Sequence, residues 1–278
     1  MSHNRNLLSK YTNQYIRYLL PRQQHQKVPT TEHLQTDGTY EQQYYSIWPP
    51  PLVIPIISIL QIIFFIVNII CTKSIRSGVV PWEEALIYSP QKRKEVWRYF
   101  TYSLAHIGYT HLIVNLVVQF LLGLPLEIVH KKWRVLVLYF AGILAGSLGS
   151  TIAHPNTYLY GASAGVYALL LAHIGTIIIN WREMTLPGIQ LGGFLSIILL
   201  DIILTIIAKD NSQHGVPIGY TAHIAGAIAG LLVGIYILKN FDPSTRTKII
   251  FWTALLFYFI FMCILIYFNI FLSNTLKY

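Results

Sequence analysis

The chain has 278 residues, of which 54% are hydrophobic and only 11% are charged, and its formal net charge is +9. An average soluble domain has about a quarter of its residues charged, so this composition excludes an ordinary soluble globular protein. No basic face of a soluble domain is visible that would bind nucleic acid, whereas basic loops and tails are typical of membrane proteins. We therefore expect the protein to contact membrane lipids and no nucleic acid.

The first 48 residues form a polar tail rich in Gln, Tyr and Asn, which we expect to be mostly disordered. Apolar segments of about twenty residues follow, each long enough to cross a hydrocarbon core of ~30 Å. The seven segments lie near residues 52–71, 108–127, 134–153, 161–180, 189–208, 219–238 and 249–272. The sequence thus predicts an all-α polytopic membrane protein.

These segments suggest three parts of the chain. Residues 1–48 are the polar tail, residues 49–240 hold six helices, and residues 241–278 hold the seventh helix and a short end. The loop 72–107 mixes aromatic and charged residues, as a segment lying in the membrane interface would. More of the Lys and Arg residues fall on the side of the tail, which favours a cytosolic amino terminus.

Ionisable and strongly polar side chains inside the spans are costly in lipid, so each is a candidate functional residue. They are His111, Asn115, Ser163, His173, Asp201 and His223. The second, fourth and sixth spans run in the same direction, and four of these residues lie near the starts of those three spans. We therefore expect His111, Asn115, Ser163 and His223 near the same membrane face.

Small residues would let the helices carrying the serine and the histidine approach closely, because packing drives helix association in lipid. The small residues at four-residue spacing are Gly161 and Gly165 in the fourth span, and Gly226, Gly230 and Gly234 in the sixth. A neutral histidine within hydrogen-bond reach would activate the hydroxyl of Ser163. Free backbone N–H groups at the start of the fourth helix, with His111 and Asn115, would suit a developing oxyanion.

Packing alone could also explain each of these polar residues. Serine is common between membrane helices, and His173 lies so far along its span that a hydrogen bond to a neighbouring helix is the favoured explanation. Asp201 could complete a catalytic triad or could hold two helices together, and the second reading is favoured.

Several segments in order and spacing resemble the rhomboid intramembrane serine proteases. They are WRYFTY at 97–102, HIGYTHLIVN at 106–115, GLPLEIVH at 123–130, GASAGVYALL at 161–170 and AHIAGAIAG at 222–230. The resemblance implies the rhomboid fold of six core helices, here followed by a seventh. It also implies an intramembrane serine endopeptidase.

Carried over by position, the resemblance implies a Ser163–His223 catalytic dyad without an acid, which argues against Asp201 as a triad member. It implies an oxyanion hole formed by His111, Asn115 and the backbone N–H groups of Ala162 and Ser163. Tyr167 would stack against His223 and orient it.

Other matching positions imply supporting roles. Arg98 and Glu127 would stabilise the first loop and the helix packing, and His106 is a second histidine near the site. Gly161 opens the G-x-S-x-G motif beside the nucleophile. Ala164 departs from the glycine that many relatives carry, and its methyl group could narrow the site.

A seventh helix after the six-helix core looks like the secretory-pathway rhomboids of animals, in the Golgi or the plasma membrane. By resemblance, the substrates would be single-pass membrane proteins, including precursors of EGF-type growth factors, cut within or near the membrane. We expect no cofactor and no metal.

Four other classes of protein share some of these features. The order Ser163, Asp201, His223 matches soluble α/β-hydrolases, but that fold needs alternating strands and helices. An inactive rhomboid-like client-binding protein would usually have lost the serine or the histidine. A transporter would explain the intramembrane polarity but not the pairing of these residues, and a metalloprotease would need an H-E-x-x-H motif.

Overall fold

A computed structural model describes residues 50–72, 83–182, 184, 186–211, 219–238 and 244–275. The tail 1–48, predicted to be disordered, lies outside these residues. The described part contains seven long apolar helices: α1 (Val53–Thr72), α2 (Tyr109–Val129), α3 (Lys132–Ala153), α4 (Ser163–Ile179), α5 (Pro187–Asn211), α6 (Tyr220–Ile237) and α7 (Thr245–Thr275). Each lies within a few residues of its predicted position.

The prediction of an all-helical membrane protein is confirmed. The described residues contain no named strand, and an isolated antiparallel bridge joins Tyr88 and Leu159. Five of the helices, α1, α2, α3, α6 and α7, are long and apolar enough to span a bilayer. The apolar stretches of α4 and α5 are shorter, at Ser163–Ile179 and Pro187–Ile203. The protein is therefore an integral multi-pass membrane protein.

Helix α6 packs most extensively against α4 and α3, and these three helices form the centre of the bundle. Helix α2 contacts α4 and α1, while α7 lies against α6 and α3. Helix α5 contacts mainly α4 among the elements that the structure describes. The seventh helix is fixed to the core by Asn269, which accepts a hydrogen bond from Thr151 and donates to the carbonyl of Leu148 at 3.0 Å.

The glycines of α6 pack against alanines of α4, as the small-residue spacing of α6 predicted. The prediction that Gly161 and Gly165 form the α4 side of this contact is wrong, because Gly161 faces His111 and Gly165 faces Tyr139. A Cβ atom on Gly226 would lie 2.4 Å from the carbonyl oxygen of Ala164, and one on Gly230 would lie 2.2 Å from Cα of Ala168. The backbones of the two helices are therefore in direct contact, and any side chain at these glycines would push them apart.

Glu127 fixes the start of α1 from the end of α2. Its buried carboxylate accepts hydrogen bonds from the backbone N–H groups of Leu52, Val53 and Ile54 at 2.5, 2.7 and 3.0 Å. The first N–H groups of a helix have no acceptor within the helix, and its amino terminus favours negative charge. A carboxylate that would be costly in lipid is thus satisfied by three donors.

Arg98 holds the described part of the first loop, 83–107, together. The Arg98 side chain is buried, and it donates to the carbonyl oxygen of Ile87 at 2.7 Å and to the carboxylate of Glu95 at 2.6 Å. The Tyr88–Leu159 bridge then ties this loop to the connection between α3 and α4. Together these contacts hold the loop beside the start of α4.

Candidate active site

Ser163 and His223 meet at the starts of α4 and α6. Ser163 is the first residue of α4, and His223 lies in the first turn of α6. The His223 Nε2 atom lies 2.7 Å from the Ser163 hydroxyl oxygen, which is hydrogen-bond distance. An imidazole nitrogen at this distance can accept the hydroxyl proton when the other ring nitrogen carries the imidazole hydrogen.

This pairing depends on the close contact between α4 and α6. A serine side chain is short, so it can reach a histidine on another helix only if the two backbones are close. Gly226 lies three residues after His223 and touches the backbone of Ala164, the residue next to the serine. The glycine therefore sets the separation at the point where the two side chains meet.

Gly161 lies two residues before the start of α4, and its backbone conformation favours glycine. Its φ is +104°, and a Cβ atom there would lie only 2.7 Å from Cε1 of the His111 ring. Both the backbone angle and the space exclude a side chain. Gly161 thus lets His111 lie directly against the chain that leads into Ser163.

The predicted oxyanion-hole side chains reach the same cavity as the serine. A cavity of about 760 Å³ is lined by side chains that include His111, Asn115, Ser163, Tyr167, Asp201 and His223. Asn115 donates one amide hydrogen to the carbonyl oxygen of His111 at 2.9 Å. A side-chain amide has two hydrogens, so a second one remains for another acceptor.

The two predicted backbone donors differ in their surroundings. The N–H group of Ala162 points toward Nε2 of His106 at 3.4 Å, so it already has an acceptor. Ser163 begins α4, where the first N–H groups have no acceptor within the helix. Of the two, the N–H group of Ser163 is the better placed to bind an oxyanion.

His106 lies behind His111, away from the cavity. It is buried, and the two rings meet edge to face with centroids 5.2 Å apart. Burial, and then the proximity of His111, lowers the pKa of His106 to about 3. His106 is therefore neutral near pH 7 and can accept the hydrogen bond from Ala162.

Tyr167, one turn along α4 from the serine, stacks on His223. The ring centroids are 4.6 Å apart and the planes differ by 16°. The Tyr167 hydroxyl donates to the Asp201 carboxylate at 2.6 Å, and the same carboxylate oxygen lies 3.8 Å from Nδ1 of His223. The sequence favours Asp201 as a link between helices. The structure shows such a link, and it places the carboxylate beside the catalytic candidates.

Arg98 and Glu127 lie away from the cavity, where they hold the first loop and α1 as described above. His173 bonds the carbonyl oxygen of Leu122 at 2.8 Å, which is the helix-to-helix contact expected of it. The methyl group of Ala164 is buried, and it lies 2.4 Å from where a Cβ atom of Gly146 would be. Because residue 146 is glycine, there is room for the methyl group of Ala164, where many relatives carry glycine.

A buried polar cluster that was not predicted from the sequence lies between α1, α2 and α3. Gln61 donates to the Tyr139 hydroxyl at 3.1 Å, and Gln119 donates to Ser58 at 2.8 Å and to Gln61 at 3.2 Å. All four side chains are buried. Glutamine inside an apolar span was the available signal, because such groups must find partners in lipid.

In the part of the chain that the structure describes, no three His, Cys, Asp or Glu side chains form a group that could hold a metal ion.

Comparison with known proteins identifies a family domain in this chain and several relatives. A model of the rhomboid domain matches residues 93–240. The mouse rhomboid-related protein 2 is 38% identical over 240 residues, which cover 81% of this chain and 76% of that protein. An inactive rhomboid-related protein 2 of Caenorhabditis elegans is 33% identical over 228 residues, covering 81% and 65% of the two chains. The rhomboid protease GlpG of Haemophilus influenzae is 31% identical over 145 residues, covering 52% and 71%. The chain therefore belongs to the rhomboid family of intramembrane serine proteases.

Proposed function

We propose that this protein is an active intramembrane serine endopeptidase that uses Ser163 and His223 as its catalytic dyad. The observation that carries the proposal is the distance of 2.7 Å between the serine hydroxyl and His223 Nε2, inside a cavity lined by further hydrogen-bond donors. Membership of the rhomboid family supports the reaction class.

In the proposed reaction, His223 Nε2 takes the hydroxyl proton while Ser163 Oγ attacks the carbonyl carbon of a substrate peptide bond. The negative charge that develops on the carbonyl oxygen is bound by the Ser163 N–H group and by the His111 and Asn115 side chains; one such donor is typically worth ~3–4 kcal/mol. His223 then gives its proton to the leaving amine. A water molecule, activated by the same imidazole, hydrolyses the acyl-enzyme and restores the serine.

The proposed substrates are single-pass transmembrane proteins. A helix hides its carbonyl groups in hydrogen bonds, so the substrate must unwind at the cleavage point, and Gly or Pro there would favour cutting. By resemblance we include precursors of EGF-type growth factors among the substrates. We also propose a site in the Golgi or the plasma membrane, a cytosolic amino terminus, and a protease core within residues 49–240.

One relative favours a second candidate function. The C. elegans relative at 33% identity is named as inactive, so a chain of this family can lack proteolysis. The second candidate is a client-binding protein without catalysis. The geometry of Ser163 and His223 favours the enzyme, because a client-binding protein does not need a serine hydroxyl held against a histidine.

The test is cleavage of a tagged transmembrane substrate by purified protein in lipid vesicles, with Ser163→Ala and His223→Ala as loss-of-function variants. Ser196→Ala is a matched control, because Ser196 is a serine on α5 whose hydroxyl bonds only the Gly192 carbonyl in its own helix. We expect fragment release by wild type and by Ser196→Ala, and none by the other two variants.

Fragment release by Ser163→Ala at the wild-type rate would overturn the dyad. If wild type releases no fragment from any substrate in a panel but retains a client in a pull-down, the client-binding candidate is supported instead.

A further inference from the structure

The carboxylate of Asp201 lies near the Nδ1 side of His223, the histidine of the proposed dyad. It is carried by α5, and its Oδ2 atom accepts the Tyr167 hydroxyl hydrogen at 2.6 Å. The same oxygen lies 3.8 Å from Nδ1 of His223, which is too long for a direct hydrogen bond. The direct acid–histidine contact of soluble triads is therefore not made here, and the acid instead bonds the ring on which the histidine stacks.

We propose that Asp201 is a positioning residue that orients His223 through Tyr167. This inference rests on the proposed function. The hydroxyl at the far end of the Tyr167 ring is held by a charge-assisted hydrogen bond, which is stronger than a neutral one. The ring then presents a fixed face to the imidazole, with centroids 4.6 Å apart and planes within 16° of parallel. The stacked imidazole in turn directs Nε2 toward Ser163 at 2.7 Å.

The charge of Asp201 acts in the same direction, but more weakly. A carboxylate on the Nδ1 side favours the tautomer in which Nδ1 carries the hydrogen, which leaves Nε2 free to accept the serine proton. However, the distance of 3.8 Å between Oδ2 of Asp201 and Nδ1 of His223 is too long for a hydrogen bond, so the charge acts on the imidazole without one. We therefore assign the main effect to the hydrogen bond with Tyr167.

Three variants separate these effects. Asp201→Leu has similar size and removes both the acceptor and the charge, while Asp201→Asn removes the charge and keeps an acceptor oxygen. Tyr167→Phe keeps the stacked ring and removes the hydroxyl. Each is measured by the rate at which a fluorophosphonate probe labels Ser163 in detergent, because this rate needs the dyad but no transmembrane substrate.

We expect Asp201→Leu and Tyr167→Phe each to slow labelling about tenfold, which corresponds to 1.36 kcal/mol of activation free energy. The double variant should be no slower than either single variant, because both remove the same hydrogen bond. Asp201→Asn should label within about threefold of wild type, since its amide oxygen still accepts the Tyr167 hydrogen. This rescue by the conservative variant distinguishes positioning from a general need for a carboxylate.

Phe194→Leu is the matched control. Phe194 is also on α5 and stacks on His173 of α4 with ring centroids 4.9 Å apart, but it does not line the cavity. Its loss loosens α5 without touching the Tyr167–Asp201 bond, and we expect the wild-type labelling rate. Equal slowing by Phe194→Leu and Asp201→Leu would overturn the proposal, because loosening of α5 would then explain both.

Wild-type labelling by Asp201→Leu, or effects of Asp201→Leu and Tyr167→Phe that multiply in the double variant, would also overturn it. If Asp201→Leu does not fold, Tyr167→Phe tests the same bond from its other end, and a wild-type rate there overturns the proposal. A wild-type protein without Ser163-dependent labelling would instead refute the proposed function. Labelling of wild type, and none of Ser163→Ala, keeps the two failures apart.

Discussion

Gly226→Ala should abolish most activity by adding a single methyl group outside the cavity. The new Cβ atom would lie 2.4 Å from the carbonyl oxygen of Ala164 and 3.0 Å from its carbonyl carbon and Cα. These are backbone atoms within a helix, so they cannot turn away as a side chain could. The helices α4 and α6 must separate to accept the methyl group.

The size of the separation follows from the contact distance. An ordinary contact needs at least 3.4 Å, so the helices must move apart by about 1 Å at this point. Ser163 and His223 are carried by the same two turns, and their distance of 2.7 Å would lengthen by a similar amount, beyond hydrogen-bond reach. Misplacement of catalytic groups by ~1 Å can cost about 100-fold in rate.

Gly175→Ala provides the matched control at the same interface. There the nearest atom to a new Cβ is the end of the flexible Leu231 side chain at 3.0 Å, which can shift by a few tenths of an ångström. The change from Gly to Ala in a helix also gains up to about 1 kcal/mol of helix propensity. We expect wild-type activity and equal or higher stability for Gly175→Ala.

The assay is the labelling rate of Ser163 by the fluorophosphonate probe, measured beside the thermal unfolding of each variant in detergent. Labelling of Gly226→Ala within about threefold of wild type would refute the argument that the backbone contact sets the dyad distance. So would an equal loss in Gly175→Ala, because the position of the methyl group would then not matter.

Three further outcomes are expected. Gly161→Ala should lower the labelling rate at least about 100-fold, because it strains a backbone of positive φ and displaces the His111 ring. Labelling of this variant at the wild-type rate would contradict the prediction. Glu127→Ala should lower the free energy of unfolding by about 2 kcal/mol or more, because three helix N–H groups lose their acceptor. Glu127→Gln should lower it by less. Equal melting temperatures for wild type and both variants would contradict this prediction. His106 has a pKa of about 3 in the folded protein and about 6.5 when unfolded, so the unfolded state binds more protons below pH 6.5 and acid favours unfolding. Wild type should therefore lose about 1 kcal/mol between pH 6.5 and 5.5 in denaturant titrations, and a His106→Gln variant with the same pH slope would refute this.

The helices and the meeting of Ser163 with His223 could be predicted from the sequence for physical reasons. Spans of about twenty apolar residues have few alternatives to a transmembrane helix. Alternating direction then places the starts of the second, fourth and sixth helices at one face of the bundle. The glycine spacing of α6 indicated that this helix approaches a neighbour closely, because only small residues allow such close backbones. The residues of α4 in that contact are alanines, which the pair Gly161 and Gly165 did not predict.

The partners of Asp201 and of Gln61 could not be predicted in the same way. Span order fixes the depth of a residue in the membrane, but not the rotation of its helix about its own axis. Asp201 lies in a span that runs opposite to α4, and only the rotation of α5 decides whether its carboxylate reaches Tyr167 or another neighbour. The amphipathic signal that fixes rotation in soluble helices is weak here, because lipid and the packed interior are both apolar.

The G-x-S-x-G motif shows how one short pattern can satisfy different structural demands. In α/β-hydrolases its glycines permit a sharp turn between a strand and a helix. In this chain Gly161 leaves space for the His111 ring, and a Cβ atom on Gly165 would lie 2.6 Å from the Tyr139 ring. The two glycines therefore admit side chains of α2 and α3 on either side of the serine. Both glycines of the motif thus serve the packing of neighbouring helices here, and the described residues before the serine hold no strand such as a soluble hydrolase has.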